Sequence, residues 1–117
     1  MTVKNYKELI VWQKSMKAAS EVYVLVKKLP KEELFGLSDQ MRRCAVSIPS
    51  NIAEGQARTS AEFVRFIGFA QGSRAELETQ LLIGVNVGYF SQNDVSSLLD
   101  LLEEINRMLS SLVKTIQ

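Results

Sequence analysis

The chain contains no histidine, one cysteine and two prolines. Each shortage removes a class of function. Without histidine there is no His-dependent Ser-His-Asp or Cys-His catalytic arrangement. The Glu-x-x-His ligands of the usual di-iron bundle are missing too. A lone Cys44 can neither close an intramolecular disulfide nor build a thiolate zinc site within one chain. It falls on an apolar helix face and reads as a small buried hydrophobe. No apolar run approaches the roughly 20 residues of a membrane span. The N-terminus, MTVKNYKELI, lacks a signal-peptide core, so a cytoplasmic location is expected. There is no Walker A sequence and no G-x-G-x-x-G, and neither a cofactor nor a metal is expected.

What is present describes an ordinary globular protein: 117 residues, 46% hydrophobic and 23% charged. That length suits a single domain over residues 1–117 with a real core. The net charge of +1 hides an asymmetry. Residues 1–58 carry ten Lys/Arg and six Asp/Glu, a net +4, and residues 59–117 carry four and seven, a net −3. Two such halves could attract head-to-tail between subunits, or each could simply solvate its own outer faces.

Four helical segments can be read. The first, about residues 6–28, repeats Leu9, Trp12, Met16, Ala19, Tyr23 and Val26 as a core stripe, and Leu29-Pro30 ends it. The second spans about 37–56. Inside it Pro49 removes a backbone donor and crowds the carbonyl of Ala45. Apolar spacing continues through Ile48 and Ile52, which predicts a kink, with a break into two helices as the alternative. Thr59 and Glu62 fit a capping box before the third helix, about 60–87. Its core stripe is Phe63, Ile67, Ala70, Arg74, Leu77 and Leu81, and Gly88 suits the position after its end. Ser91 with Asp94 is a weaker capping pair, because Asp is shorter than Glu. The fourth helix, about 92–115, has the cleanest stripe: Val95, Leu98, Leu102, Ile105, Leu109, Leu112 and Ile116. Short links between four helices predict an all-α fold, an antiparallel up-down-up-down four-helix bundle with a proline-kinked second helix.

Specificity concentrates between Gln40 and Arg58. Gln40, Arg43, Ser47, Asn51, Glu54 and Arg58 recur every 3 or 4 residues and share one polar helix face. The third helix carries a second stripe, Phe66, Phe69, Ser73, Glu76, Gln80, Ile83 and Val87. A hydrogen-bonded network of Ser47, Asn51, Glu54, Ser73, Glu76 and Gln80 would satisfy both polar stretches, with Arg43 or Arg74 neutralising charge. Glu54, Glu76 and Glu78 offer a carboxylate site for metal, small ligand or catalysis, but structure or assembly is the preferred role. Gly68 and Gly72 permit close backbone approach, or merely weaken the helix. Trp12 reads as core. Basic residues give the only nucleic-acid signal: Lys4, Lys7, Lys14 and Lys17 on the first helix, Lys27, Lys28 and Lys31 at its end, and Arg42, Arg43 and Arg58 on the second. Of these, Lys14, Lys17, Lys27, Lys28, Arg42, Arg43 and Arg58 are the candidate nucleic-acid contacts. No aromatic platform accompanies them.

The chain resembles the four-helix-bundle proteins named for the 23S rRNA intervening sequences in which some are encoded. The resemblance lies in Leu9-Ile10-Val11-Trp12-Gln13-Lys14, Phe35-Gly36-Leu37 with Gln40, and Arg42-Arg43. It continues in Ser47-Ile48-Pro49-Ser50-Asn51-Ile52-Ala53-Glu54-Gly55, Gly72-Ser73, Glu76-Leu77-Glu78-Thr79-Gln80-Leu81 and Gly88-Tyr89. Cys44 stands where a small residue such as alanine is expected. The resemblance implies a ring-forming homo-oligomer, a pentamer, with no established enzyme activity. That family is similar to the accessory variability protein of diversity-generating retroelements, a basic ring working with a reverse transcriptase and nucleic acid. RNA or ribonucleoprotein binding is expected by that analogy. A protein-only scaffold is the alternative, and a small-ligand protein ranks third.

Overall fold

The computed structural model describes residues 5–117; Lys4, read as a basic candidate, lies outside them. Among the described residues there are four α-helices and no strand: α1 (Ile10–Leu25), α2 (Leu37–Gln56), α3 (Ser60–Asn86) and α4 (Gln92–Ile116). Each helix packs on two others, α1 on α2 and α4, and α3 on α2 and α4. One hydrophobic core runs between all four, from Val22 and Met41 to Leu77 and Leu102. None of these helices is long and apolar enough to cross a membrane.

The first helix is shorter than its spacing predicts. Tyr6–Glu8 form a separate 3-10 turn, held by the Asn5 carboxamide oxygen, which accepts from the Lys7 amide at 2.9 Å. Leu9 is extended, with φ −73° and ψ 123°, so α1 begins only at Ile10. A second 3-10 turn, Val26–Lys28, tightens its end, and Leu29 is extended before Pro30 as the proline ring requires. The buried face is also turned. Val11, Ser15, Ala18, Ala19, Val22 and Leu25 point inward. Met16 and Tyr23, expected in the core, are 43% and 48% exposed. Trp12 only packs against the edge of the core. The helix carries two adjoining apolar stripes, and the one with smaller side chains faces in. The hydroxyl of fully buried Ser15 is satisfied by donating to the Val11 carbonyl at 2.7 Å.

The other three helices follow their spacing closely. α2 is continuous through Pro49, with no extended residues at that point. The two caps of α3 and α4 exchange the strengths that side-chain length suggests. Thr59 accepts from the Glu62 amide at 3.3 Å, but the Glu62 carboxylate turns to Arg65 instead of reaching back. Ser91 and Asp94 form the full reciprocal box, at 3.1 and 2.8 Å. Lys28, 3.1 Å from the Asp94 carboxylate, helps hold it there. These bonds hold the Asp94 carboxyl below its ordinary range, the backbone amide of Ser91 contributing most. At the end of α3, Gly88 takes φ +87°, the left-handed geometry that lets the chain turn into α4.

Two kinds of glycine follow from this packing. A side chain on Gly55 would put its Cβ 2.5 Å from the Cβ of Phe66. Gly68 faces open space, with nothing within 4 Å. Gly68→Ala should therefore raise stability by about 0.5–1 kcal/mol through helix propensity. Gly55→Ala should lower it by about 1–3 kcal/mol through overpacking. Chemical denaturation of the two variants checks both signs.

Candidate functional site

Small residues let α2 and α3 approach closely, and polar atoms line the seam between them. The Ser47 and Ser73 hydroxyls meet at 2.8 Å. Asn51 donates to the Ser47 carbonyl and hydroxyl at 2.8 and 2.9 Å, fixing that serine from one turn away. One turn earlier on α2, the Cys44 thiol donates to the Glu76 carboxylate at 3.1 Å. The Gln80 amide donates to the Cys44 sulfur at 3.5 Å. Thus Ser47, Asn51, Ser73, Glu76 and Gln80 come to the α2–α3 seam in two hydrogen-bonded pieces, one around Ser47 and one around Cys44.

Glu54 does not join them. It pairs with Arg58 along its own helix at 3.2 Å, on the exposed side. Neither arginine neutralises Glu76, since Arg43 pairs with Asp39 at 2.9 Å and Arg74 with Glu78 at 2.6 Å. Helix periodicity places i and i+4 partners closer than partners on another helix, and the local pair wins. The residue missed by sequence reasoning is Cys44. It is buried as expected, at 8% exposure, yet it bridges the two carboxyl and amide groups of α3. A thiol among serines at helical spacing was the available signal.

Burial, followed by the hydrogen bond and charge of Glu76, pushes the Cys44 thiol up to about 11. That is the wrong direction for a nucleophile or a metal ligand. No group of three or more Cys, Asp or Glu side chains among the described residues could hold a metal ion.

Most of the basic candidates already have partners. Lys14 reaches across to Glu104 on α4 at 3.1 Å, and Lys28 reaches Asp94. Arg42 lies 3.8 Å from Asp39 and donates to the Leu34 carbonyl at 3.4 Å. Arg58 stacks over the Phe66 ring on α3, 5.0 Å from its centroid. Among the described residues only Lys17 and Lys27 of the seven candidates have no ion-pair partner.

The rotation of α1 exposes something its sequence did not announce. Tyr6, Trp12, Met16 and Tyr23 line one wall of an apolar groove of about 560 Å³, and Val46, Pro49 and Ala53 of α2 line the other. Tyr6 and Trp12 meet edge to face at 5.2 Å. This cluster of aromatic side chains was not expected from the sequence, which placed Trp12 and its neighbours inside.

Four helices around one core, joined along α2 and α3 by a hydrogen-bonded seam, define an all-helical class. The chain belongs to the 23S rRNA-intervening sequence protein family, whose sequence model matches residues 7–111. Among solved structures it is similar to a protein of unknown function from the S23 ribosomal protein family of Bacteroides thetaiotaomicron. The TM-score is 0.82 at 30% identity, covering 90% of this chain and 99% of that one. Comparison with curated proteins finds no match.

Two outcomes test the seam. Ser47→Ala should cost about 1 kcal/mol, because it strands the Ser73 hydroxyl while Asn51 keeps its bond to the backbone carbonyl. Glu54→Ala should stay within about 0.5 kcal/mol, as for a surface site. The Cys44 thiol, ordinarily near 9.0, is raised in the folded chain to about 11. Its contribution is therefore present below pH 9 and is lost as pH rises through about 11. The melting-temperature advantage of wild type over Cys44→Ala should shrink across that window. At pH 8, Ellman's reagent should label the native thiol about two orders of magnitude more slowly than the unfolded one.

Proposed function

We propose that the chain is a single-domain, non-enzymatic, cytoplasmic helical-bundle protein that works as a homo-oligomer, a pentameric ring. The observation that carries the assembly reading is apolar surface left in water. Phe35 is 90% exposed and Val87 58%, besides the half-exposed wall of the α1–α2 groove. Apolar surface gathered into faces of this kind marks interaction sites.

Reach supports an up-down-up-down course for the bundle. Only residues 57–59 join α2 to α3. Three residues extend about 10 Å, far less than the roughly 30 Å of a 20-residue helix. The connection after α1 and the turn after α3 also touch: the Tyr89 hydroxyl donates to Glu33 at 2.8 Å, and Lys28 pairs with Asp94. An up-down-up-down course requires these two connections to share one end of the bundle. A kink at Pro49 follows from its missing donor and its ring, which crowds the Ala45 carbonyl.

Binding of RNA or a ribonucleoprotein is the second part of this reading. Its support is the name of the family, 23S rRNA-intervening sequence protein, and the S23 ribosomal family of the structural neighbour. Unpaired Lys17 and Lys27 are the residues to carry phosphate contacts, with Lys14, Lys28, Arg42, Arg43 and Arg58 available only if their present partners release them. A protein-only scaffold is the competing reading, favoured by how many of those cations are already paired. The non-catalytic reading draws support from Cys44, whose thiol is pushed away from reactivity.

Native mass spectrometry of protein isolated from its host without nuclease should show an oligomer, with RNA retained. Titration with single-stranded RNA should show affinity falling with salt, and Lys17→Glu with Lys27→Glu should reduce the log–log slope by about 0.7 per lost contact. An oligomer with no RNA affinity at low salt selects the protein-only scaffold.

A further inference from the structure

We propose that the outward stripe of α3 docks head-to-tail into the apolar groove between α1 and α2 of a second copy. The inference rests on the assembly reading and names the two surfaces that would perform it.

The groove is a receptor without charge. Trp12, Met16, Tyr23, Val46 and Pro49 dominate it, and among the described residues no charged side chain lines it. A phosphate backbone would need cations there. Tyr23 also lines a second cleft, of about 460 Å³, bordered by Lys27, Lys31 and Arg42.

The matching surface lies on α3. Phe69, Gly72, Glu76, Ile83 and Val87 follow one another at steps of 3, 4, 7 and 4, one line along the helix facing away from the core residues Ile67, Ala70, Leu77 and Leu81. Phe69 and Ile83 are 46% and 45% exposed, so large apolar side chains stand in water on both arms of the stripe. Between them Gly72 has nothing within 4 Å, which lets a partner approach the backbone. From Phe69 to Val87 the stripe runs about 27 Å at 1.5 Å per residue.

Charge selects the partner. The groove belongs to the half of net charge +4 and the stripe to the half of net charge −3. Glu76 sits mid-stripe, while Lys27 and Lys31 border the neighbouring cleft that shares Tyr23 with the groove, and have no ion-pair partner among the described residues. The two surfaces share no residue, so the contact is heterologous, and each copy keeps a free stripe and a free groove for the next.

Two single variants and their mixture test this by sedimentation and native mass spectrometry. Met16→Glu spoils the groove and Ile83→Glu spoils the stripe. Both side chains are half exposed, so the fold should survive, with helical circular dichroism as the check. If either variant unfolds, Val46→Glu or Gly72→Leu takes its place. Wild type should assemble, and each variant alone should be monomeric, its self-affinity reduced by at least about tenfold. Mixed, with one variant isotope-labelled, they should form 1:1 heterodimers and nothing larger, because one supplies an intact stripe and the other an intact groove. Variants that assemble like wild type overturn the surface assignment and leave the assembly reading standing. Monomeric variants whose mixture yields no dimer overturn head-to-tail docking. A wild type monomeric at all concentrations removes the assembly reading and this inference together, and a host protein retained on such a monomer through the groove points to a protein scaffold instead.

Discussion

The close approach of α2 to α3 is the constraint on which the rest of this structure depends. It needs a residue without a side chain at Gly55, where Phe66 occupies the space a Cβ would take. It also needs small side chains along the contact, and Ser47, Ser73 and Cys44 provide them. Their polar atoms then have to be satisfied, because burial without a partner costs about 1–3 kcal/mol per group. The hydroxyl pair and the thiol–carboxylate bond do this across the helices, not along them. The pairing rewards one register of α2 against α3: sliding either helix by a residue would break both links. The seam is thus an instrument of specificity more than of stability.

Electrostatics works by a similar internal pairing. The basic first half and acidic second half are not merely juxtaposed by sequence. Lys14 with Glu104 and Lys28 with Asp94 join one half to the other within a single chain. Exposed pairs of this kind contribute little to folding energy, yet they remove cations from the surface field. Part of the positive charge of the half of net charge +4 is thereby answered within the chain. Among the described residues of that half, Lys7, Lys17, Lys27 and Lys31 remain without an ion-pair partner, the last two near the connection after α1.

Legibility in the sequence followed the number of ways a segment could be read. α4 has one apolar stripe, and its buried residues from Val95 to Leu109 are those its spacing names. α1 has two, and periodicity alone does not say which faces inward; the smaller one does, so Met16 and Tyr23 became walls of a groove. That groove was illegible for the same reason. The α2–α3 seam was readable because polar residues at helical spacing demand partners. Its two errors were local. Glu54 found Arg58 one turn away, and Cys44, read as a hydrophobe, proved to be both buried and hydrogen-bonded. Capping depended on geometry that side-chain length does not reveal, so the shorter Asp94 completes a box that Glu62 leaves open.

Pro49 connects these observations. It lies in α2, whose other positions build the seam with α3, and its own ring lines the α1–α2 groove. Replacing it by a residue with a backbone N–H would restore a donor to Ala45 and take the ring out of the groove wall at once. A closed ring requires every subunit contact to repeat the same rotation, since a small error per contact accumulates until the last interface fails to meet the first. A receptor wall built into a helix whose register is fixed by hydrogen bonds to α3 holds a constant angle to the stripe on that same α3. In the proposed head-to-tail assembly the seam acts chiefly through that angle, which relates groove to stripe, and Glu76 belongs to both seam and stripe.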